Sequence, residues 1–332
     1  MARHALSQPC LALVRSLEST LPEASAASGV TRFRIGLSGG ADSLALTAAC
    51  AWARDRRRGP LAGMDVTARI VDHGLQPDSA AVADQAARRA EELGVSADVV
   101  RVRVDPSGEG LEAAAREARY AALLQGDDAL ILLGHTLDDQ AETVLLGLAR
   151  GSGTRSLAGM PRNRDRMLRP FLALRRADTE QACRDWGLTW WDDPTNLQSA
   201  YTRSRLRSAM GTLDEVLGPG LASALARTAD LCRQDADFLD LAASRVGVDP
   251  QSPRLAVDLM ADVPPALRHR LLLSWLRQIG QDAVTRDHVL AVDALLTDWR
   301  GQQGISVPGG RVVRESGFLV RERFSPRRRR DR

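Results

Sequence analysis

Lysine is absent from this chain: all 45 basic residues among its 332 are arginine. A Walker A loop needs a lysine on the β- and γ-phosphates of its nucleotide, so that class of nucleotide hydrolase is excluded. Pyridoxal-phosphate enzymes and ligases that become adenylated on their own lysine are excluded as well, because both require a lysine nucleophile. Any chemistry that this protein performs therefore uses no lysine side chain of its own.

Long apolar segments and paired cysteines are also lacking. No run of about 18 apolar residues occurs, which excludes a transmembrane helix, and residues 1–11 do not have the pattern of a secretion signal. The four cysteines are far apart and include no CxxC pair: Cys10, Cys50, Cys183 and Cys232. This spacing argues against a zinc or iron–sulfur site and against disulfides, and it predicts reduced thiols in a cytoplasmic protein.

The net charge of +3 is small but unevenly distributed. Residues 301–332 contain nine arginines and three acidic residues and so carry a charge of +6, which leaves −3 for the other 300 residues. A second basic stretch, residues 150–176, has eight arginines and one aspartate. Arginine runs are usually solvated surface, but two of them in an otherwise slightly acidic chain favour a polyanionic partner such as RNA.

Short apolar runs alternate with helical patterns in the first half of the chain. The runs predict strands at 32–37, 65–71, 98–104 and 129–133, and the patterns between and after them predict helices at 42–56, 78–93, 110–125 and 138–148. This spacing predicts an α/β fold, a doubly wound parallel sheet with helices on both faces. Ligands of such sheets bind beyond the carboxyl ends of the strands, where the polar motifs of this chain lie.

After residue 153 the alternation stops. We expect helices at 177–186, 203–210, 221–246, 265–279 and 285–299, and short strands at 304–307, 312–314 and 318–320. Because 332 residues exceed what one core usually serves, we predict a catalytic domain with a helical extension at 1–215 and a smaller α+β domain at 216–325. The boundary is expected near 211–218, and residues 326–332 are expected to be a disordered basic tail.

A glycine-rich motif joins the first predicted strand to its helix and reads Ser38, Gly39, Gly40, Ala41, Asp42, Ser43. Its glycines allow a ligand to approach the backbone, its N–H groups form an anion nest, and the helix dipole adds to the attraction. The serines supply hydroxyl donors, and Asp42 is placed to hold Mg²⁺ or to cap the helix. A plain strand–helix turn is the alternative.

The string SGG-x-DS resembles the pyrophosphate-binding loop of the N-type ATP pyrophosphatase enzymes. The resemblance implies that ATP is cleaved between its α- and β-phosphates and that an oxygen of the substrate becomes adenylated. In this superfamily the end of the second strand contacts the adenine or ribose through backbone groups, which places His73 with the nucleotide-binding residues; a structural role is the alternative for this side chain. Asp78 or Ser79 is expected to cap the helix that follows.

A dense group of ionisable side chains follows the fourth predicted strand. His135, Asp138, Asp139 and Glu142 lie within eight residues. We expect Asp138 to be the N-cap of the next helix, which leaves the other three without an explanation from packing. A carboxylate cluster suits Mg²⁺, an ammonium group or proton removal. We therefore predict catalytic roles for Asp42, Asp138, Asp139 and Glu142, and nucleotide binding by His135.

Together, SGG-x-DS and GH-x-x-DDQ-x-ET resemble the tRNA-Ile lysidine synthetases. Further matching segments are E-x-x-x-R-x-x-R-Y at 112–120, RGSG at 150–153, LAGM at 157–160, and WDDPTN at 191–196 leading to Tyr201 and Arg203. The similarity runs from about residue 32 to residue 207, with a weaker echo at 267–277 and 307–320. Ser204 and Thr195 depart from it, since the family commonly has Asn and Ser there.

The resemblance implies the following reaction. The C2 oxygen of the wobble cytidine of tRNA(Ile) with a CAU anticodon attacks the α-phosphate of ATP, and pyrophosphate leaves with Mg²⁺ near Asp42. The ε-amine of free lysine then displaces AMP to give lysidine, which changes codon specificity from AUG to AUA. The lysine, with an ordinary pKa of about 10.4, must first lose a proton, which requires a nearby carboxylate. No membrane or other protein is implied, and a homodimer is left open.

Several arginines are candidates for binding the substrate: Arg116, Arg150, Arg155, Arg203 and Arg205. Arg116 is four residues from Glu112, so a surface ion pair is its alternative role, and Arg119 is the lesser candidate on the same helix. Trp186, Trp190 and Trp191 form either core packing or a base-stacking platform.

Two other functions compete with lysidine formation. A tRNA thiolase of the same ATP superfamily would share the activation step and would need a reactive cysteine near the site, for which Cys50 is the only candidate. A non-catalytic tRNA- or nucleotide-binding relative is the second alternative, and the intact carboxylates argue against it.

Overall fold

A computed structural model describes residues 6–56, 58–76, 78–105, 110–192, 202–280 and 283–323; of Glu112 it describes the backbone only. The predicted tail at 326–332, the motif residues 193–196, and Tyr201 lie outside the described residues. The chain divides into two compact units, Met1–Leu231 and Cys232–Arg332. No helix in the described ranges is long and apolar enough to cross a membrane.

The first unit contains six strands and eight complete helices within the described residues. In chain order its elements are α1 (Gln8–Ser28), β1 (Arg32–Gly36), α2 (Ala41–Arg54), β2 (Asp65–Asp72), α3 (Ser79–Glu92), β3 (Ser96–Arg101), α4 (Leu111–Leu124), β4 (Leu130–Leu133), α5 (Leu137–Ala149), α6 (Thr154–Leu157), β5 (Asn163–Arg164), β6 (Met167–Leu168), α7 (Arg176–Asp185) and α8 (Thr202–Leu217). Helix α9 (Leu221–Ser244) crosses the division between the units.

The sheet of the first unit has the strand order β3-β2-β1-β4-β6-β5. All its pairings are parallel except that of β5 with β6, which is antiparallel. The predicted fold class, a doubly wound parallel sheet, is therefore confirmed. Chain order reverses between β1 and β4, so the loops that follow these two strands flank the switch point, where ligands of such sheets bind.

Burial explains why these segments form a sheet covered by helices. All four residues of β4 are buried, as expected of a central parallel strand. Helix α2 covers the sheet with alanines, and Ala45, Ala48 and Ala49 are all fully buried. Small side chains at these positions allow the helix to lie close to the strands, which brings its N-terminus near the sheet edge.

Helix α1 is an element that the strand–helix alternation did not predict. Ser7 caps it by accepting a hydrogen bond from the Cys10 N–H at 3.4 Å. Leu13, Leu17 and Leu21 are fully buried at i, i+4 spacing, so they form the apolar stripe of an amphipathic helix. The helix packs against α2 and α7 and closes one face of the core.

Two further differences concern the strands. The third strand occupies 96–101 rather than 98–104, and the two-residue strands β5 and β6 were not predicted. Strands this short carry no periodic signal of their own, since two residues cannot show an alternation. They form because β6 pairs with β4 in the core.

The second unit is built around its own apolar core. Besides the end of α9 it contains β7 (Arg254–Ala256), α10 (Val257–Ala261), α11 (Pro265–Gly280), α12 (Arg286–Thr297), β8 (Ile305–Val307), β9 (Gly310–Glu315) and β10 (Phe318–Arg323). Its antiparallel sheet has the order β7-β10-β9-β8. Trp275 is fully buried at the centre of the core. The smaller α+β unit is thus present, and the domain boundary near 211–218 stays a prediction.

Candidate active site

The glycine-rich loop between β1 and α2 is held in a turn by the Ser43 hydroxyl. The Ser38 N–H donates to Ser43 Oγ at 3.2 Å, and Ser43 Oγ donates to the Gly40 carbonyl at 3.0 Å. Gly39 has a φ of +87°, which favours glycine. Gly40 is the N-cap of α2 and provides no side-chain cap, so the free N–H groups of the first turn point to the strand ends, where an anion binds well.

The end of β4 lies against this loop because residue 134 is a glycine. A Cβ on Gly134 would be 2.9 Å from the carbonyl carbon of Asp42 and 3.0 Å from the Ser43 nitrogen, which is closer than real side chains approach backbone. The glycine therefore brings the loop after β4 within reach of the loop after β1. Two motifs that are about 95 residues apart in sequence meet at the switch point of the sheet.

Arg176, the first residue of α7, joins the carboxylates of both motifs. Its Nε is 3.2 Å from Asp42 Oδ2, its Nη2 is 2.7 Å from Asp139 Oδ1, and its Nη1 is 3.5 Å from Glu142 Oε1. The Thr179 hydroxyl, one turn further along α7, donates to the other oxygen of Asp42. Asp42, Asp139 and Glu142 thus surround a single guanidinium.

A second arginine reaches the same cluster from α8. Arg207 Nε is 3.0 Å from Glu142 Oε1, and its Nη2 is 3.7 Å from Asp139 Oδ1. The Glu142 side chain is only 4% exposed, and a buried carboxylate is stable only with such partners. The cluster therefore combines three carboxylates with two arginines and is not a bare acidic patch.

The expected N-cap role of Asp138 is wrong. Thr136 is the N-cap of α5, and its N–H and hydroxyl each donate to Asp139 Oδ2 at 2.8 Å in a capping box. Threonine is a preferred N-cap residue, and with it at that position the third helical residue, Asp139, is the one that reaches back. Asp138 instead accepts hydrogen bonds from the Arg176 N–H at 2.7 Å and the Arg175 Nε at 3.2 Å.

The two aspartates that face Arg176 differ in their acidity. Burial raises the pKa of Asp42 to about 6, the nearby Asp139 adds to this, and Arg176 and Thr179 oppose it. Burial also acts to raise the pKa of Asp139, but Arg176, His135 and the Thr136 hydrogen bonds outweigh it and lower the pKa. Asp139, Asp42 and Glu142 together raise the pKa of Arg176 against the effect of its burial. Of the two aspartates, Asp42 is thus the one whose ionisation is disfavoured in the free protein.

Three residues of this centre were not predicted from the sequence: Arg176, Thr179 and Arg207. Arg176 belongs to the basic stretch 150–176, whose arginines we expected to contact RNA. That expectation is wrong for part of the stretch, since Arg176 points into the cluster and Arg169 is buried. Arg166 also points inward, donating at 2.7 Å to the carbonyls of residues 124 and 127. The only signal was the position of Arg176 at the start of a predicted helix.

The predicted arginines divide into two groups. Arg150, Arg155 and Arg205 are exposed, and Arg205 donates to the Thr202 hydroxyl at 3.1 Å. Arg116 and Arg203 are half-buried and belong to a second cluster of charged and ionisable side chains, which also includes His73 and His135. The side chain of Glu112 is not described, so its ion pair with Arg116 stays a prediction.

Two of the three clustered tryptophans and three of the four cysteines belong to the core. Trp186 and Trp190 pack against the main core, and the Trp191 N–H donates to the Gly39 carbonyl at 3.1 Å, which ties the segment after α7 to the glycine-rich loop. Cys50 is fully buried within α2, and burial raises the pKa of its thiol. It is therefore not a reactive thiolate.

The donors near the loop fit Mg²⁺ only in one manner. In the described ranges no group of three or more His, Cys, Asp or Glu side chains is arranged to hold a metal ion. Mg²⁺, however, usually binds one or two carboxylates together with substrate phosphates and water. Asp42, beside the anion-binding loop, fits that arrangement.

Comparisons with known proteins assign one family model to the first part of the chain and another to the second part. A family model described as PP-loop domain matches residues 13–213, and one described as TilS substrate binding domain matches residues 255–320. The chain is 51% identical over 298 residues to the tRNA(Ile)-lysidine synthase of Leifsonia xyli subsp. xyli, which covers 86% of this chain and 88% of that relative. It is 50% identical over 306 residues to that of Nocardia farcinica, covering 89% and 93%.

Among solved structures, the U34-tRNA thiolase NcsA from Methanococcus maripaludis is similar, with a TM-score of 0.54 and 19% identity over 67% of this chain and 78% of that chain. This likeness shows the fold alone. The full-length similarity to the curated relatives carries the assignment, because both family models match in order and about half of the residues are identical. The chain belongs to the tRNA(Ile)-lysidine synthase family.

Proposed function

We propose that this protein is an ATP-dependent ligase that joins lysine to C2 of the wobble cytidine of tRNA(Ile) with a CAU anticodon. The reaction passes through an adenylated tRNA and releases pyrophosphate and AMP. One observation carries the proposal beyond family membership: Asp42 of the pyrophosphate loop and the carboxylates Asp139 and Glu142 converge on Arg176. A nucleotide-binding loop and a site for a cationic substrate thus share one centre.

The loop from Ser38 to Ser43 receives the leaving pyrophosphate. Its backbone N–H groups, at the N-terminus of α2, favour an anion that gains charge as the α–β bond breaks. Asp42 and the phosphates would hold Mg²⁺, which supplies neutralisation of that charge when bound. The raised pKa of Asp42 fits this role. Burial disfavours its ionised form, and a bound divalent cation would stabilise that form strongly.

Free lysine binds with its ammonium group near Asp139 and Glu142. In the free protein Arg176 and Arg207 neutralise these carboxylates, so we propose that the substrate ammonium joins or displaces one of these arginines. A carboxylate takes one proton from the ammonium group before the attack, since an ammonium group has no lone pair, and the free amine then attacks C2 as the bond from C2 to the AMP oxygen breaks. Glu142, which is almost fully buried, is the best placed to act on a desolvated amine.

The thiolase alternative lacks its nucleophile. The buried Cys50 has a raised pKa, and burial likewise raises the pKa of Cys183, which lies 3.5 Å from the Ala41 carbonyl, to about 12. Both thiols remain protonated at neutral pH, and a thiol must ionise to attack. Of the cysteines near the loop, neither suits sulfur transfer.

The decisive experiment is incorporation of labelled lysine into tRNA(Ile) carrying cytidine at position 34. We expect incorporation with ATP, with one AMP and one pyrophosphate released per lysine. The same tRNA with uridine at position 34 is the matched control and should accept none. Binding of the tRNA without turnover would support the non-catalytic relative, and incorporation of sulfur would support the thiolase.

A further inference from the structure

A second group of charges lies around Tyr120 and contains three arginines, Arg116, Arg119 and Arg169, for which the described residues provide no carboxylate partner. The guanidinium carbons of Arg116 and Arg119, on α4, are each 5.3 Å from the centre of the Tyr120 ring. Arg169, which follows β6, is 3% exposed and lies close enough to Tyr120 to lower the pKa of its hydroxyl, as Arg116 and Arg119 also do against the effect of burial.

Several buried polar atoms in this cluster have no hydrogen-bond partner within the described part of the chain. They are the Nε atoms of Arg119 and Arg169, the Tyr120 hydroxyl, and the Nδ1 atoms of His73 and His135. Arg169 donates through Nη1 to the Pro161 carbonyl at 2.8 Å. No described carboxylate forms an ion pair with Arg116, Arg119 or Arg169.

The cations also disfavour each other. The pKa of Arg119 is lowered by burial and further by Arg116 and Arg203, and that of Arg169 is lowered by burial and by Arg116. Burial lowers the pKa of His135, and the three arginines around Tyr120 lower it further while Asp139 opposes them. A group of like charges in low dielectric is unfavourable unless a counterion joins it.

Arg268, a buried arginine of the second unit, has a different set of partners. Arg268 in the second unit donates through Nε and Nη2 to Asp293 at 2.5 and 3.0 Å and through Nη1 to the Val263 carbonyl at 2.7 Å. Arg268 thus has acidic and carbonyl partners on all three nitrogens. Among the described residues Arg169 has the Pro161 carbonyl and the Tyr120 hydroxyl as polar neighbours, Arg116 and Arg164 as cationic neighbours, and no carboxylate partner, which suits a site that binds an anion.

The cluster lies on the ligand-binding edge of the sheet. His73 follows β2, His135 follows β4, and Arg169 follows β6, so all three stand at carboxyl ends of parallel strands. The pyrophosphate loop follows β1, between β2 and β4. His135 is also near enough to Asp139 for the two to shift each other's pKa, so the cationic cluster borders the carboxylates of the active site.

We propose that Arg119, Arg169 and the Tyr120 hydroxyl form a binding site for a phosphate group of a substrate. Guanidinium groups bind phosphate oxygens through paired N–H donors, and the phosphate would use the free Nε and hydroxyl donors while cancelling the repulsion among the arginines. The inference rests on the proposed function for the source of the phosphate, which is either the α-phosphate of ATP or a backbone phosphate of the tRNA beside the target cytidine.

The first test needs no catalysis. Thermal unfolding of the whole protein is followed in sodium phosphate and in sodium chloride of equal ionic strength, for the wild type, Arg169→Met, Arg119→Met and the exposed control Arg162→Met. Phosphate should stabilise the wild type and the control equally, through this site and the pyrophosphate loop. Both cluster variants should lose part of that gain, and in chloride they should unfold no lower than the wild type.

The result would contradict the proposal if the cluster variants kept the full gain from phosphate. It would also contradict the proposal if both variants unfolded well below the wild type in chloride, because the arginines would then be structural. Neither outcome depends on lysine incorporation, so failure of the proposed function and failure of the phosphate site can be told apart.

The second test identifies the source. Loss of a charged phosphate contact should raise one KM by about tenfold to a hundredfold in Arg119→Gln and Arg169→Gln. A rise in the KM for ATP assigns the α-phosphate. A rise in the KM for tRNA assigns the tRNA backbone. In that case the slope of log K for tRNA binding against log salt concentration should also become less steep by about one, the value for one lost phosphate contact. Unchanged kcat and unchanged KM for both substrates would overturn the assignment.

Discussion

At the scale of single residues, Asp42 is a carboxylate whose ionised form is destabilised by burial in the folded protein. Its pKa in the folded protein is about 6 because burial outweighs Arg176 and Thr179, whereas an ordinary aspartate in an unfolded chain has a pKa of about 3.9. An ionised Asp42 therefore destabilises the folded state above pH 6. Below about pH 4 it is protonated in both states and the effect disappears.

We predict that Asp42→Asn is more stable than the wild type at pH 8, by about 1–2 kcal/mol once its partial exposure of 22% is allowed for. The difference should vanish at pH 4. Thermal unfolding at the two pH values measures it, with the exposed Asp84→Asn as the control. The variant should also fail to release pyrophosphate. A lower stability at pH 8 together with normal turnover would mean that Asp42 is a structural residue.

Single residues also show where sequence reasoning stops. The motif after β4 indicated the right cluster, but it assigned the N-cap to Asp138, whereas Thr136 and Asp139 form the cap. A shift of two positions changes which carboxylate is committed to the backbone, because capping is decided by where the strand ends. Arg176 was missed for a related reason: whether an arginine points to solvent or inward depends on the element opposite, which its own neighbours do not specify.

At the scale of elements, helix α7 connects the N-terminal ends of α2 and α5 through Arg176. The guanidinium is 20% exposed and faces three carboxylates of those two helices. Without it these carboxylates repel each other in a partly buried site, and their pKa values would rise.

Arg176→Met should therefore lower the free energy of unfolding at pH 8 by about 2–4 kcal/mol, since breaking a buried ion pair leaves a charge unpaired. The loss should be smaller near pH 4, because Asp42 is then protonated and a carboxylate left without Arg176 takes up a proton more readily. Thermal unfolding at both pH values tests this, with the exposed Arg184→Met on the same helix as the control. An equal loss at both values would indicate a loss of packing only.

The contact between the two loops allows a second prediction for elements. In Gly134→Ala the new methyl group would meet the Asp42 backbone at 2.9 Å, so β4 and α2 must separate, at a cost of about 1–3 kcal/mol. Both half-reactions should slow together. Gly211→Ala in α8 is the control, because nothing lies within 4 Å of its Cβ position and alanine favours a helix. Full activity of Gly134→Ala would show that the two loops need not touch.

Elements were predictable where their own pattern was complete. The central strands and the helices between them combine apolar runs of usual length with capping residues and glycines, and the structure has them within a few residues. The hairpin β5–β6 and helix α1 were not predicted, the former because two-residue strands depend on the neighbouring β4. Helix α1 has a regular apolar stripe, but it precedes the alternation on which the fold prediction was based.

At the scale of the whole molecule, the second unit has its own core and its own buried ion pair. Burial acts to raise the pKa of Asp293, but Arg268 and His269 lower it below its ordinary value. Its ionised form therefore stabilises the unit above about pH 4, and this contribution is lost as the pH falls through the lower pKa of the folded state.

Asp293→Asn should destabilise the second unit by about 3–5 kcal/mol at pH 7, because it leaves Arg268 buried without its counterion. Calorimetry should show one transition moved to lower temperature and the transition of the first unit unchanged. Asp298→Asn, exposed and paired only with Arg300 on the surface, is the control. If both transitions moved together, the two units would not unfold independently.

The proposed reaction depends on one division of labour, in which we assign Asp42 to adenylation and Asp139 and Glu142 to lysine. It is tested by measuring pyrophosphate release and lysine incorporation in parallel for Asp139→Asn, Glu142→Gln and Asp138→Asn. Loss of the charge that faces a buried ammonium costs on the order of 3–5 kcal/mol, roughly a hundredfold to several thousandfold in rate or binding. We predict that Glu142→Gln and Asp139→Asn retain most pyrophosphate release, accumulate the adenylated tRNA or its hydrolysis product AMP, and lose lysine incorporation.

Asp138→Asn, whose carboxylate binds the start of α7, should lose only about 1 kcal/mol of stability. Equal loss of both half-reactions in all three variants would contradict this division and would mean that the cluster binds Mg²⁺ and ATP instead of lysine.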